Sequence, residues 1–290
     1  MISRVRFHRR VRAFTLPERR GRHAFTLPKQ RAHFAFTLIE LLVVIGIITV
    51  LMVLIAPAFN SLKTADEITN TAYTMKGAIE QARTYAKANN TYSWVGFYEE
   101  DGSKSSINPP TPGTGRLIIS IVASNNGTRI YGSSSAPIDP TQLIQVGKLI
   151  KIDNVHLPQF AIGSGTGESF DTRPAPDWNS SNQYQDSMFG ELNSAAQSSP
   201  HTDTQFPFQY PVGNPAPTAQ YTFRKTLQFS PSGENRINST YDIRRIIEIG
   251  LLPTRGSVAP ATSRGTGKYA GNIAALQISG FGSNVKIYRR

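Results

Sequence analysis

Nineteen consecutive residues, Leu38 to Ala56, read LIELLVVIGIITVLMVLIA and include a single ionisable side chain, Glu40. Wound as an α-helix at about 1.5 Å per residue, such a run spans roughly 28 Å, close to the hydrocarbon thickness of a bilayer. A helix of a water-soluble domain carries its apolar residues on one stripe, whereas this run carries them on every face. It reads as a membrane-spanning helix. Residues 1–35 contain ten Lys/Arg and one acid, which is +9 of the chain's +12 and leaves +3 for the 255 residues that follow. Basic residues flanking a span stay on the cytoplasmic side, so the amino terminus is expected in the cytoplasm and the bulk of the chain across the membrane.

The same partition of charge bounds the partners. A remainder so near neutrality offers no broad phosphate-binding face, and no nucleic acid is expected. The chain has no cysteine, which excludes disulfides, thiolate metal sites and cysteine nucleophiles. Beyond residue 35 the histidines are His156 and His201, too few for a histidine metal site, and no metal or other cofactor is expected.

Pro57 has no backbone N–H and crowds the turn before it, so it should kink the helix as it leaves the membrane. The helix should nevertheless continue, because Leu62, Ala65, Ile68, Ala72, Met75, Ile79, Ala82 and Ala86 recur at three- to four-residue spacing with polar residues between them. The expectation is one long kinked helix. Residues 36–59 lie in the membrane or an assembly core, and residues 60–88 form an amphipathic half that packs its stripe on a globular head.

A usual secretory signal has a shorter apolar stretch followed by a small-residue cleavage site, and neither is present. Instead Ala35-Phe36-Thr37-Leu38-Ile39-Glu40-Leu41-Leu42 resembles the processing site of type IV prepilins and type II secretion pseudopilins. The resemblance extends over about 24 residues, to Pro57, where many pilins also carry a proline. It implies that a prepilin peptidase removes residues 1–35 by cutting between Ala35 and Phe36, then methylates the new amino group of Phe36. Ala35 stands where the family usually has Gly. The resemblance also implies that Glu40 pairs with the charged amine of a neighbouring subunit, so that two charges costly alone in lipid become tolerable together and set the axial register. The implied partners are the peptidase, other pilin or pseudopilin subunits packed helix to helix, and inner-membrane lipid.

The leader repeats AFTL at Ala13, Ala24 and Ala35. The first two copies run into Pro17 and Pro28 with no apolar stretch behind them, so neither can open a membrane span, and function should not depend on them.

After Asn89-Asn90 the pattern becomes strand-like. Candidate strands are Tyr92–Glu99, Arg116–Ser124, Leu143–Ile152, Tyr221–Phe229, Ile243–Ile249, Asn272–Ser279 and Val285–Tyr288, which implies an antiparallel sheet. The fold class is therefore α+β, a long kinked amino-terminal helix packed on an antiparallel head spanning 89–290. Within it, 163–219 is rich in Ser, Pro, Asn, Gln, Gly and Thr and reads as a long irregular loop region. The order of helix, strands, long loop and late strands resembles the H-type minor pseudopilins of type II secretion. Leu227-Gln228-Phe229-Ser230-Pro231-Ser232-Gly233-Glu234 is similar to that group's strand and Ser-Pro-x-Gly turn, and Ala274–Tyr288 to its closing hairpin, turning at Gly280–Asn284.

Chemistry-bearing motifs are sparse. Gly163-Ser164-Gly165-Thr166-Gly167 has no Lys at phosphate-loop spacing, and Glu99-Glu100-Asp101 reads as a solvated turn. Asp171, Asp177 and Asp186 lack calcium-loop spacing, and no Ser/His/Asp constellation or GxSxG occurs. No catalytic residue is expected and the chain reads as a non-enzyme. The function expected is a structural subunit, a minor pseudopilin or pilin of a type II secretion or type IV pilus-like fibre, in the bacterial inner membrane with a periplasmic head and then in the fibre. The alternative is a fibre-tip adhesion protein that binds a surface or secreted substrate through its head loops.

Overall fold

The computed structural model describes residues 37–129, 137–176, 188–189, 207–237, 243–259, 272–282 and 284–290; for 54–65 and Phe189 it describes the backbone alone. The leader, Ala35 and Phe36 lie outside the described residues, whereas Pro57 is described by its backbone, over which the helix continues. The helix α1 (Leu38–Ala88) is 51 residues long, within two residues of the span expected from sequence. The chain divides into two units, residues 1–52 and 53–290. Of the first, Thr37–Met52 is described, and every side chain in it is exposed.

In the second unit α1 buries Ile68, Ala72, Met75, Ile79, Ala82 and Ala86 while Asn70, Thr74, Gly77, Gln81 and Thr84 face outward. This is the three- to four-residue stripe of the sequence, and its small members let strands approach the helix axis closely. Among the described residues twelve strands follow: β1 (Ser93–Asp101), β2 (Gly115–Ser124), β3 (Leu143–Gln145), β4 (Ile150–His156), β5 (Met188–Phe189), β6 (Phe208–Tyr210), β7 (Tyr221–Phe223), β8 (Lys225–Phe229), β9 (Asn235–Ile237), β10 (Ile246–Pro253), β11 (Ala274–Ser279) and β12 (Val285–Arg289). Ten of them form one sheet, in the order β12-β11-β10-β4-β2-β1-β8-β9 with β3 beside β2 and β5 beside β10, while β6 and β7 pair separately. The pairings are antiparallel except that of β5 with β10.

The sheet is curled. β9 and β11 lie six strand spacings apart in the ladder, about 29 Å if the sheet were flat, yet the Asn235 N–H donates to the Gly280 carbonyl at 2.7 Å. The enclosed face packs on α1, with Val95, Phe97, Leu117, Ile119, Leu227, Phe229, Ile249 and Ile278 meeting Met75 and Ile79 in one cluster. Alternate residues of the same strands point the other way, as the pleat requires. Trp94, Tyr98, Ile118 and Val122 meet Phe208, Tyr221 and Phe223 in a second cluster. The β6–β7 pair thus forms an outer layer on β1, and it comes so close that a Cβ at Gly96 would fall 2.6 Å from both Phe208 and Phe223. A third cluster, Phe160, Phe170, Leu252, Ile273, Ala275 and Tyr288, seats the segment after β4 on β10 and β11.

The structure therefore differs from the sequence reading over 163–219. That stretch contains β5 and β6, and its described parts pack as a layer on the sheet. Two expected strands are each divided, the run 143–152 around Gly147 and the run 221–229 at Arg224. The turn at Ser230–Gly233 is closed by the Gly233 N–H donating to the Ser230 carbonyl at 2.8 Å, with Gly233 at φ 86°. That left-handed angle is the reason glycine stands there. The Ala274–Tyr288 hairpin also forms, pairing Ala274 with Arg289 through Ile278 with Val285.

Candidate functional site

The first turn of α1 is built by Thr37. Its hydroxyl accepts the Glu40 N–H at 3.2 Å and its carbonyl accepts the Leu41 N–H at 3.1 Å. Thr37 thus occupies the N-cap and Glu40 the third helical position, the threonine-x-x-glutamate spacing of a capping box. A carboxylate in this turn is also favoured by the positive end of the helix dipole. The cap is a residue the sequence reading passed over, although the four letters Thr-Leu-Ile-Glu spell its signal.

Behind the cap the helix has no polar face. Of the 16 residues from Leu38 to Val53, all but Glu40, Gly46 and Thr49 are large apolar side chains, and each of those is at least 43% exposed. Thr49 returns its hydroxyl to the Ile45 carbonyl at 2.7 Å, so it asks for no outside hydrogen-bond partner. An exposed apolar surface of this length requires lipid or other helices around it. Among the described residues no helix is long and apolar enough to cross a membrane. The side chains described stop at Val53, whereas the apolar run of the sequence continues to Ala56.

Of the expected site residues, Glu40 is placed, exposed in the first turn, and the backbone of Pro57 lies within α1; Ala35 and Phe36 are outside the described residues. The head offers clamps. Glu99 and Glu100, read from sequence as a solvated turn, instead end a strand covered on both faces and are 0% and 2% exposed. Glu99 faces His156 Nδ1 at 3.0 Å and accepts the Leu157 N–H at 2.9 Å. Glu100 accepts the Tyr221 hydroxyl at 2.6 Å, Ser106 Oγ at 3.1 Å and Arg116 at 3.2 Å. Burial, and then the charge of Glu100, pushes the Tyr98 phenol up to about 12; burial and the hydrogen bond to Glu100 raise Tyr221 as well.

The Gly163–Gly167 loop turns its amides inward. Ser164, Gly165 and Gly167 donate to the carbonyls of Asp171, Arg173 and Thr172 at 3.0, 3.1 and 2.9 Å, so these N–H groups are not open to a phosphate. Of the loop aspartates, Asp171 lies 3.6 Å from Arg290, and Asp177 and Asp186 lie outside the described residues. Among the described residues no three His, Cys, Asp or Glu side chains gather as a metal would need.

A capped helix with an all-apolar first stretch, whose later half is the core of a curled antiparallel head, defines an α+β protein of the pilin-like class. Residues 30–56 match the prokaryotic N-terminal methylation motif. That motif supports a type IV pilin-like protein, and it implies membrane anchoring, processing by prepilin peptidase and assembly with other pilin subunits. No curated protein and no solved structure matches it.

Proposed function

We propose that the chain is a minor subunit, of the H-type pseudopilin kind, in a type II secretion or type IV pilus-like fibre. It is held in the inner membrane with its amino terminus in the cytoplasm and its head in the periplasm, cut between Ala35 and Phe36, and methylated on Phe36. During assembly Glu40 neutralises the Phe36 amine of a neighbour, and the apolar stretch of α1 exchanges lipid contacts for helix contacts. The observation that carries this reading is the methylation motif over residues 30–56 running directly into the exposed apolar turns of α1. The Ser-Pro-x-Gly turn after β8 and the closing β11–β12 hairpin support the H-type assignment. The deciding experiment is mass spectrometry of the amino terminus of protein isolated from its native membrane. An N-methylated Phe36 is expected; an intact leader would leave a permanent tether and remove the fibre model.

A further inference from the structure

Where the two ends of the sheet meet, basic residues gather that the net charge of only +3 over residues 36–290 conceals. The Ser230–Gly233 turn lies against the last turns of α1, where a Cβ on Gly233 would fall 3.5 Å from Arg83 Nε and 3.0 Å from Lys87 Cδ. Arg83 and Lys87 are four residues apart and so share one side of the helix. Arg236 follows in β9. Across the seam the Asn235 N–H donates to the Gly280 carbonyl at 2.7 Å, and the Gly280 N–H donates to the Arg245 carbonyl at 3.2 Å, which brings in Arg244 and Arg245. Among the described residues these segments hold five cations and one acid, Glu234, which pairs with Arg236 at 3.1 Å. Lys87 also complements the carboxyl end of the helix dipole, which accounts for one of the five. Among the described residues the enclosed Arg83 Nε has no hydrogen-bond partner.

At the tip of the adjoining hairpin, between Gly280 and Gly282, Phe281 is 65% exposed. An aromatic ring held in water beside a cluster of cations is the pairing that single strands use, with phosphates drawn to the charges and an unstacked base laid on the ring. A polyanion without bases would engage the cations and have no use for the ring. We propose that this seam binds single-stranded nucleic acid through Arg83, Lys87, Arg236, Arg244 and Arg245, with a base stacked on Phe281.

The test is fluorescence anisotropy of a labelled oligothymidylate of about twenty nucleotides titrated with the full-length protein in detergent. Because the subunit is added unassembled, the result does not depend on fibre formation. Binding should weaken steeply with salt, and Lys87→Gln combined with Arg245→Gln, both exposed, should weaken it at least about tenfold and flatten the salt slope. Phe281→Ala should cost about fivefold to hundredfold, and Lys104→Gln, an exposed cation elsewhere on the head, should leave binding unchanged. Absence of binding overturns the proposal. So does equal binding by Phe281→Ala, equal competition by heparin or by vesicles of anionic lipid, or an equal loss in Lys104→Gln.

Discussion

Arg173 and Glu248 stand 75 residues apart in the chain and meet as a two-pronged ion pair, Nε to Oε2 at 2.8 Å and a terminal nitrogen to Oε1 at 2.7 Å, with each side chain 1% exposed. Two further guanidinium donors reach the carbonyls of Phe170 and Ala161 at 2.6 and 2.7 Å, and its Cζ lies 4.4 Å from the centre of the Phe170 ring. Gln277 adds a bond to Glu248 at 2.8 Å and another to the Pro174 carbonyl at 2.6 Å. Two desolvated charges are tolerated here because they pair with each other and with hydrogen-bond partners around them. The pair seats residues 157–176 on the sheet.

Removing one partner leaves the other buried and alone. Arg173→Met should destabilise the head by about 3 to 5 kcal/mol, and adding Glu248→Leu should restore part of the loss. Chemical denaturation of the three proteins in detergent checks both steps, and a double variant no better than the single would count against a charge-pair account.

Gly96 is the point where the β6–β7 layer touches β1. Gly96→Ala forces a methyl into the space of Phe208 and Phe223, at a cost of about 1 to 3 kcal/mol. The melting temperature should fall and the near-ultraviolet circular dichroism of the aromatic cluster should change. A variant with wild-type values in both would mean that the layer is looser than its geometry indicates.

Tyr98 and Tyr221 make the head sensitive to alkali. Their folded pKa values are raised, Tyr98 to about 12, from the 10.0 of a free phenol. Below pH 10 both are protonated, folded or unfolded, and their packing contributes in full. As the pH climbs from 10 toward 12 the unfolded chain loses these protons first, so stability falls. Stability measured against pH across that window should decline, and it should decline less steeply in Tyr221→Phe.

At the other end of the molecule, Thr37→Ala removes the cap. The first turn of α1 should lose about 1 kcal/mol of local stability while Thr37→Ser keeps it. Hydrogen exchange of the amides of residues 39–41 reads this directly: faster exchange in the alanine variant alone is the expected result.

Glu40→Val keeps the helix and removes the charge. Processing should continue, whereas the amount of fibre in a sheared-surface or periplasmic fraction should drop severalfold. Normal fibre levels would end the role proposed for Glu40.

The long helix was legible because its signals are local: the apolar run, then the stripe from Ile68 to Ala86. Strand positions were legible too, since β-rich runs such as Arg116 to Ser124 stand between turn residues. What could not be read was burial on the second face. Glu99 and Glu100 look solvated in sequence because carboxylates usually are, and only the Arg116, Tyr221 and His156 brought from distant strands make them interior residues. The outer layer was hidden for the same reason. Phe208 sits in a Pro-rich stretch with no periodicity, Phe223 reads as part of a strand but not of a second layer, and their partners Trp94 and Tyr98 lie more than a hundred residues earlier. The basic seam escaped a charge count because Arg83, Arg236 and Arg245 come together only when the sheet curls.

That curl also sets how the subunit answers to mechanical load. From Ile68 to Ala86 the helix lies along the inside of the sheet, a rise of about 27 Å. A tension applied along α1 therefore acts on those side chains as shear, engaging the whole row at once instead of peeling contacts singly. A subunit built this way holds its head until nearly the entire row gives, and then yields in one step.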